Sequence, residues 1–94
     1  MKKLGDFFRE ERENKHLLLR QAAAQLDIDQ AVLSKIERNE RKATKDQIDQ
    51  FIELYKLNKK EILIKWNAER IMDLLEGEEN LIEILKEIEA QYAE

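Results

Sequence analysis

The chain has no cysteine and no proline, and only two glycines and one histidine among its 94 residues. Without cysteine there is neither a disulfide nor a thiolate zinc site. A β-rich fold needs turn residues that are missing here, and aromatic side chains make up only 6% of the chain, so an all-α protein is expected. No apolar run approaches the roughly 18 residues that span a membrane. Two N-terminal lysines lead into Gly5, Asp6 and further charges, with no signal-peptide apolar region behind them, so a cytoplasmic protein is expected. An enzyme is not: the lone His16 falls in a turn, and no nucleophilic cysteine or phosphate-cradling glycine loop is present. Glu78 and Glu79 have no histidine or converging carboxylate nearby, so they suit a helix N-terminus better than a metal. No cofactor, metal or small-molecule ligand is implied.

What the chain does have is charge and aliphatic periodicity. Charged residues make up 40% and hydrophobic residues 43%, and the regular spacing of the latter argues against disorder. The net charge of -4 is unevenly placed. Residues 1–58 carry 12 basic against 11 acidic side chains, whereas residues 59–94 carry 5 against 10. Between Lys35 and Lys45 five basic residues face two acidic ones. Screening in physiological salt confines each charge to about 8 Å, so a basic patch on an acidic protein is effective locally.

Leu4, Phe7, Phe8 and the stem of Arg12 share one face of a first helix running to about Lys15. Phe7 and Phe8 cannot both point inward, so one flanks the core. A second helix is expected over about Leu19–Leu26, with Leu18 as a poor N-cap, and a third after Asp29, whose carboxylate would cap it. The third ends near Arg38 or Asn39, since Asn tolerates the left-handed turn that Gly usually supplies. Thr44 with Gln47 forms a capping box for a helix over about Lys45–Tyr55, and Asn58 with Glu61 opens another that reaches toward Glu76 and the stop at Gly77. The last helix, about Glu79–Tyr92, carries Leu81, Leu85, Ile88 and Tyr92 on one stripe.

The segment LRQAAAQLDIDQAVLSKIERNERK, Leu19 to Lys42, is the most specific part. Ala23 and Leu26 lie on one side of its first helix, Ile28 plugs a sharp corner, and Leu33 and Ile36 recur at helical spacing. Gln30, Ala31, Ser34, Lys35 and Arg38 are left for the outside. This is the layout of a helix-turn-helix, which lays its second helix in a DNA major groove. Glu37, acidic on the same helix, is read as structural, bridging to Arg9 or Arg12.

LRQAAAQLDIDQAVLSKIERNER resembles the helix-turn-helix of the phage-repressor-like (Xre/Cro/CI) transcriptional regulators. The resemblance covers about Leu4 to Leu63 and includes Leu4-Gly5, Arg9 and Arg12, Leu19-Arg20-Gln21, and the string Leu33-Ser34-Lys35-Ile36-Glu37-Arg38. Leu18, Asp27 and Asn39 depart from the family's usual hydroxyl cap and two glycines. The resemblance implies a five-helix lambda-repressor-like DNA-binding domain over 1–63, with a C-terminal helical extension over 64–94. It implies that Gln30, Ala31, Ser34 and Lys35 reach base edges. Gln can pair bidentately with adenine, Lys donates to guanine, and the Ala methyl meets a thymine methyl. Gln21, Arg38, Arg41 and Lys42 would contact phosphates, with Arg20 and Lys45 as weaker candidates.

A domain of about 60 residues closes its own core, so the apolar residues of the extension need another surface to cover. They either fold back or pair with a second chain. Because readers of this type bind as two-fold pairs, a homodimer is expected, with Leu74, Leu81, Leu85 and Ile88 at its interface. The expected function is a transcriptional regulator, a repressor, that binds a palindromic operator in double-stranded DNA. The pairing of LDIDQAVLSKIER with a long acidic C-terminal tail resembles small regulators linked to restriction–modification loci. The alternative is an antitoxin-like interaction module whose C-terminal helices bind a partner protein.

Overall fold

The computed structural model describes residues 2–93. Local capping chemistry sets most helix boundaries. Thr44 Oγ1 accepts from the Gln47 backbone N–H at 3.2 Å while Gln47 Oε1 accepts from the Thr44 N–H at 2.9 Å, so α4 runs over Lys45–Tyr55 as its box dictates. Asn58 Oδ1 accepts from the Glu61 N–H at 3.0 Å and opens α5, Lys59–Leu74. The remaining helices are α1 (Leu4–Asn14), α2 (Leu19–Leu26), α3 (Gln30–Glu37) and α6 (Leu81–Ala93), with no strand among the described residues. One expected cap is not formed: the Asp29 side chain takes no hydrogen bond from the first turn of α3. Asp29, Gln30 and Ala31 are all exposed, so water serves those amides.

The first four helices, α1 to α4, end the same way. His16, Asp27, Asn39 and Lys56 all adopt left-handed backbone, with φ of 57°, 56°, 61° and 54°. Each is followed by a backbone N–H that reaches back five residues: Leu17 to Arg12, Ile28 to Ala23, Glu40 to Lys35 and Leu57 to Ile52. These are Schellman stops built without glycine. A side chain in this region costs about 1–2 kcal/mol, less for Asn and Asp. Lys56→Gly is therefore expected to raise stability by about 0.5–1 kcal/mol, after the glycine's extra unfolded-state entropy is subtracted, as measured by urea unfolding.

Phe8 and Phe51 form the centre of the core, with parallel rings 4.0 Å apart. Leu26, Leu33 and Ile48 close around them from α2, α3 and α4. Phe7 is the flanking aromatic, half-buried, with Lys65 Nζ 5.5 Å from its ring centroid. Packing continues past residue 63. Trp66 is buried and its Nε1–H donates to the Ala43 carbonyl at 2.8 Å. Glu69 Oε2 accepts from the Leu4 N–H at 2.8 Å, a carboxylate at the N-terminus of α1. Beyond this point the chain leaves the body. No residue of α6 is buried, and the radius of gyration is 15.2 Å, against about 12–13 Å for a compact chain of this length.

Tyr55 lies in the core beside the buried Arg12–Glu37 ion pair, and its hydroxyl has no hydrogen-bond partner among the described residues. Burial, then the charge of Glu37, pushes its pKa up to about 12, against a lowering by Arg12. The folded value lies above the ordinary value of 10.0. Its contribution is thus complete below pH 10 and is lost as pH rises from about 10 to about 12, where the unfolded phenol ionises first. Urea unfolding is expected to show a loss of about 2–3 kcal/mol across that window that Tyr55→Phe abolishes. At pH 7 the same substitution is expected to be neutral or mildly stabilising, since it removes an orphan hydroxyl.

Candidate nucleic-acid interface

The corner between α2 and α3 is three residues long, and Asp27 and Ile28 are fixed in it by the Schellman bonds to α2. Leu33 and Ile36 point into the core, which turns the opposite face of α3 to solvent. There Gln30, Ala31, Ser34, Lys35 and Arg38 line one shallow concave surface together with Leu19 of α2. All four residues expected at base edges are brought together on it. Among the described residues, the side chains of Gln30, Ser34 and Lys35 make no hydrogen bond or ion pair, so their donors and acceptors are open. Leu19 was not anticipated; its position at the first residue of α2, next to the corner, makes it a wall of this surface.

The residues expected on phosphates have different surroundings. Gln21 Oε1 accepts from the Leu18 N–H at 2.8 Å, which supplies half of the missing cap and leaves the Gln21 amide as an outward donor. Arg38 is exposed and folded along its own helix end, with Nη1 2.9 Å from Glu40 and Nε donating to the Ser34 carbonyl at 3.3 Å. Arg41 is exposed and has no ion pair among the described residues. Lys42 instead sits between Glu69 at 3.2 Å and Asp73 at 3.0 Å. Burial pushes its ammonium pKa down, but the hydrogen bonds it donates to Asp73 and Glu69 outweigh this and leave it raised. A phosphate would have to displace two carboxylates there. Of the weaker candidates, Arg20 is exposed and Lys45 pairs with Asp49 at 3.3 Å.

The platform behind α3 is a buried ion pair. Arg12 Nε donates to Glu37 Oε2 at 2.8 Å and its Nη2 to Oε1 at 3.1 Å, while Nη1 donates to the Leu17 carbonyl at 2.9 Å. Glu37 is only 4% exposed. Arg12 is the partner; Arg9 pairs with Glu13 on the surface. The hydrogen bond that Arg12 donates to Glu37 is the main cause that raises the Arg12 pKa, against desolvation. Just past the same end of α3, Asn39 Oδ1 accepts from the Gly5 N–H at 3.0 Å and its Nδ2 donates to Asp6 at 3.0 Å. Both brackets run from α1, so α3 is held from behind at its C-terminal end. Glu69 and Asp73 were missed as structural acids, although their i,i+4 spacing beyond Trp66 places them on one side of α5.

Residues 8–62 match a family model described as helix-turn-helix. The chain belongs to the Xre/Cro/CI-type helix-turn-helix family. Members of this family are DNA-binding transcriptional regulators, and this chain is one. Among solved structures, the clp gene regulator ClgR from Corynebacterium glutamicum has a similar fold, with a TM-score of 0.59 and 23% identity over 88% of this chain and 86% of that one. A chain in the SinR protein/SinI protein complex is similar with a TM-score of 0.58 and 16% identity, over 97% of this chain and 99% of that one. A comparison with curated protein sequences gives no match. No helix among the described residues of this helix-turn-helix protein is long and apolar enough to cross a membrane.

Proposed function

We propose that the protein represses transcription by binding a palindromic operator as a homodimer, with α3 of each copy in successive major grooves about 34 Å apart. The observation that carries this reading is the concave face of α3, where Gln30, Ser34 and Lys35 converge with open hydrogen-bonding groups beside the Ala31 methyl. These four read base edges, and Gln21, Arg38 and Arg41 position the duplex through its phosphates. Lys42 joins them only by giving up Glu69 and Asp73. Residues 1–63 form the reading unit. Residues 64–94 form the dimerising extension, its first turns anchored by Trp66 and its interface built from Leu74, Leu81, Leu85 and Ile88. Leu74, Leu85 and Ile88 are 81%, 38% and 55% exposed in the single chain, which supports their use between chains. A locus encoding a restriction–modification system is one setting that fits.

Two substitutions test the division of labour. Lys35→Ala is expected to weaken operator binding about 10- to 100-fold while leaving random DNA nearly unchanged. Arg41→Ala is expected to weaken both and to reduce the salt slope by about one unit. Titrations of operator and random duplexes at several salt concentrations read both effects, and equal losses on all sequences from both variants would overturn the assignment. The second reading, an interaction module whose extension binds another protein, is favoured by the exposed apolar face of the acidic extension. A chain of this fold is also known in complex with the SinI protein.

A further inference from the structure

The outer face of α5 carries Ile64, Asn67, Ile71 and Leu74, spaced three, four and three residues apart. That is the spacing of a helix-pairing seam, and it lies well round the helix from Ile62 and Trp66, which face the core. Ile64, Ile71 and Leu74 are 59%, 41% and 81% exposed. The seam's first turns form a shallow depression with Lys59 and Lys60 at its edge. On α6, Leu81, Ile84 and Ile88 repeat the same spacing with Leu85 and Tyr92 alongside, and none is buried.

We propose that the α5 seam is the seat for α6 of a second copy of this chain, the two copies exchanging their last helices about a two-fold axis. The proposal rests on the homodimer reading above and names the surface that receives the extension. Charge favours this occupant. Residues 75–93 carry six acidic side chains against one lysine, while residues 56–67 carry four lysines against one glutamate. Pairing α6 with its own copy would set acid against acid, whereas seating it on α5 brings Glu87 and Glu89 toward Lys59 and Lys60. Own-chain α6 does not occupy the seam. It would cover Leu74, next to the connecting turn, before anything else, and Leu74 is the most exposed apolar residue of the seam. Reciprocal exchange covers both seams with two copies of the same contact, related by the two-fold axis.

Sedimentation equilibrium tests the seat with two double variants, both at exposed positions of the seam and of α6. Ile64→Glu/Ile71→Glu breaks the seam and leaves α6 intact; Leu85→Glu/Ile88→Glu does the reverse. Each alone is expected to raise the dimer Kd by at least about 100-fold with the helical circular-dichroism signal of the body retained. Mixed in equal amounts they are expected to regain dimers, because one intact α6 still meets one intact seam. A seam variant that dimerises like the wild type, or a mixture that stays monomeric, overturns the exchange while the homodimer reading survives. A monomeric wild type overturns both.

Discussion

Arg12→Ala is expected to destabilise the protein by about 3–5 kcal/mol, the cost of leaving a buried carboxylate without its partner. The carboxylate is that of Glu37, and the guanidinium that pairs with it is supplied from α1. Domains of this size have total stabilities of about 5–15 kcal/mol, so a single truncation removes a large share. The melting temperature is expected to fall by at least about 12 °C, since each kcal/mol is worth about 4–8 °C in a domain of 60–100 residues. The double variant Arg12→Met/Glu37→Leu is expected to recover most of the loss, because two apolar side chains need no compensation. Arg9→Ala, which breaks the surface pair with Glu13, is expected to cost less than about 0.5 kcal/mol. Comparable losses at Arg9 and Arg12 would contradict the role given to burial. Glu37 is also the last residue of α3, so losing its anchor loosens that helix.

Gly5→Ala is expected to be nearly as damaging, although alanine is the better helix former. A Cβ at Gly5 would overlap the Ile36 carbonyl oxygen and the Asn39 Oδ1, with Asn39 Cγ 2.9 Å away. The carbonyl is backbone at the end of α3 and cannot rotate aside. Asn39 is held in place by its bonds to Gly5 and Asp6. The methyl group must therefore push α1 off the end of α3, a cost of about 2–3 kcal/mol that exceeds the roughly 0.5–1 kcal/mol gained from helix propensity. Denaturant unfolding gives the stability loss. DNA binding under native conditions is expected to fall as well, because the same movement shifts α3. Full retention of stability would show that α1 and α3 approach less closely than described.

Much of this architecture is legible in the sequence, and the reasons differ by element. α2 and α4 begin and end where periodicity and capping place them, since Thr44–Gln47 forms a local box that needs no tertiary help. Asp27 and Asn39 announce left-handed turns by their residue type. His16 and Lys56 do the same work without any such signal, as nothing in a lysine marks a helix stop. Asp29 signals a cap that solvent makes unnecessary. The pairing of Glu37 with an arginine of α1 is readable from charge and register, but its burial is not, and burial is what makes it matter. The packing of Trp66 on Ala43 and of Glu69 on Leu4 spans 23 and 65 residues, beyond any local pattern. For the interface, residue type and helical spacing are enough to bring Gln30, Ala31, Ser34 and Lys35 to one face. They do not reveal that Lys42 is taken by Glu69 and Asp73.

The most direct test of the central claim is selection of binding sites from a randomised duplex pool at near-physiological salt, with the full chain. A dimer reading DNA through α3 predicts a two-fold motif whose half-sites lie about ten base pairs apart. The motif should be lost with Lys35→Ala and kept with Arg9→Ala. Recovery of no motif from folded protein would contradict the account and leave the C-terminal extension, with a partner protein, as the seat of function.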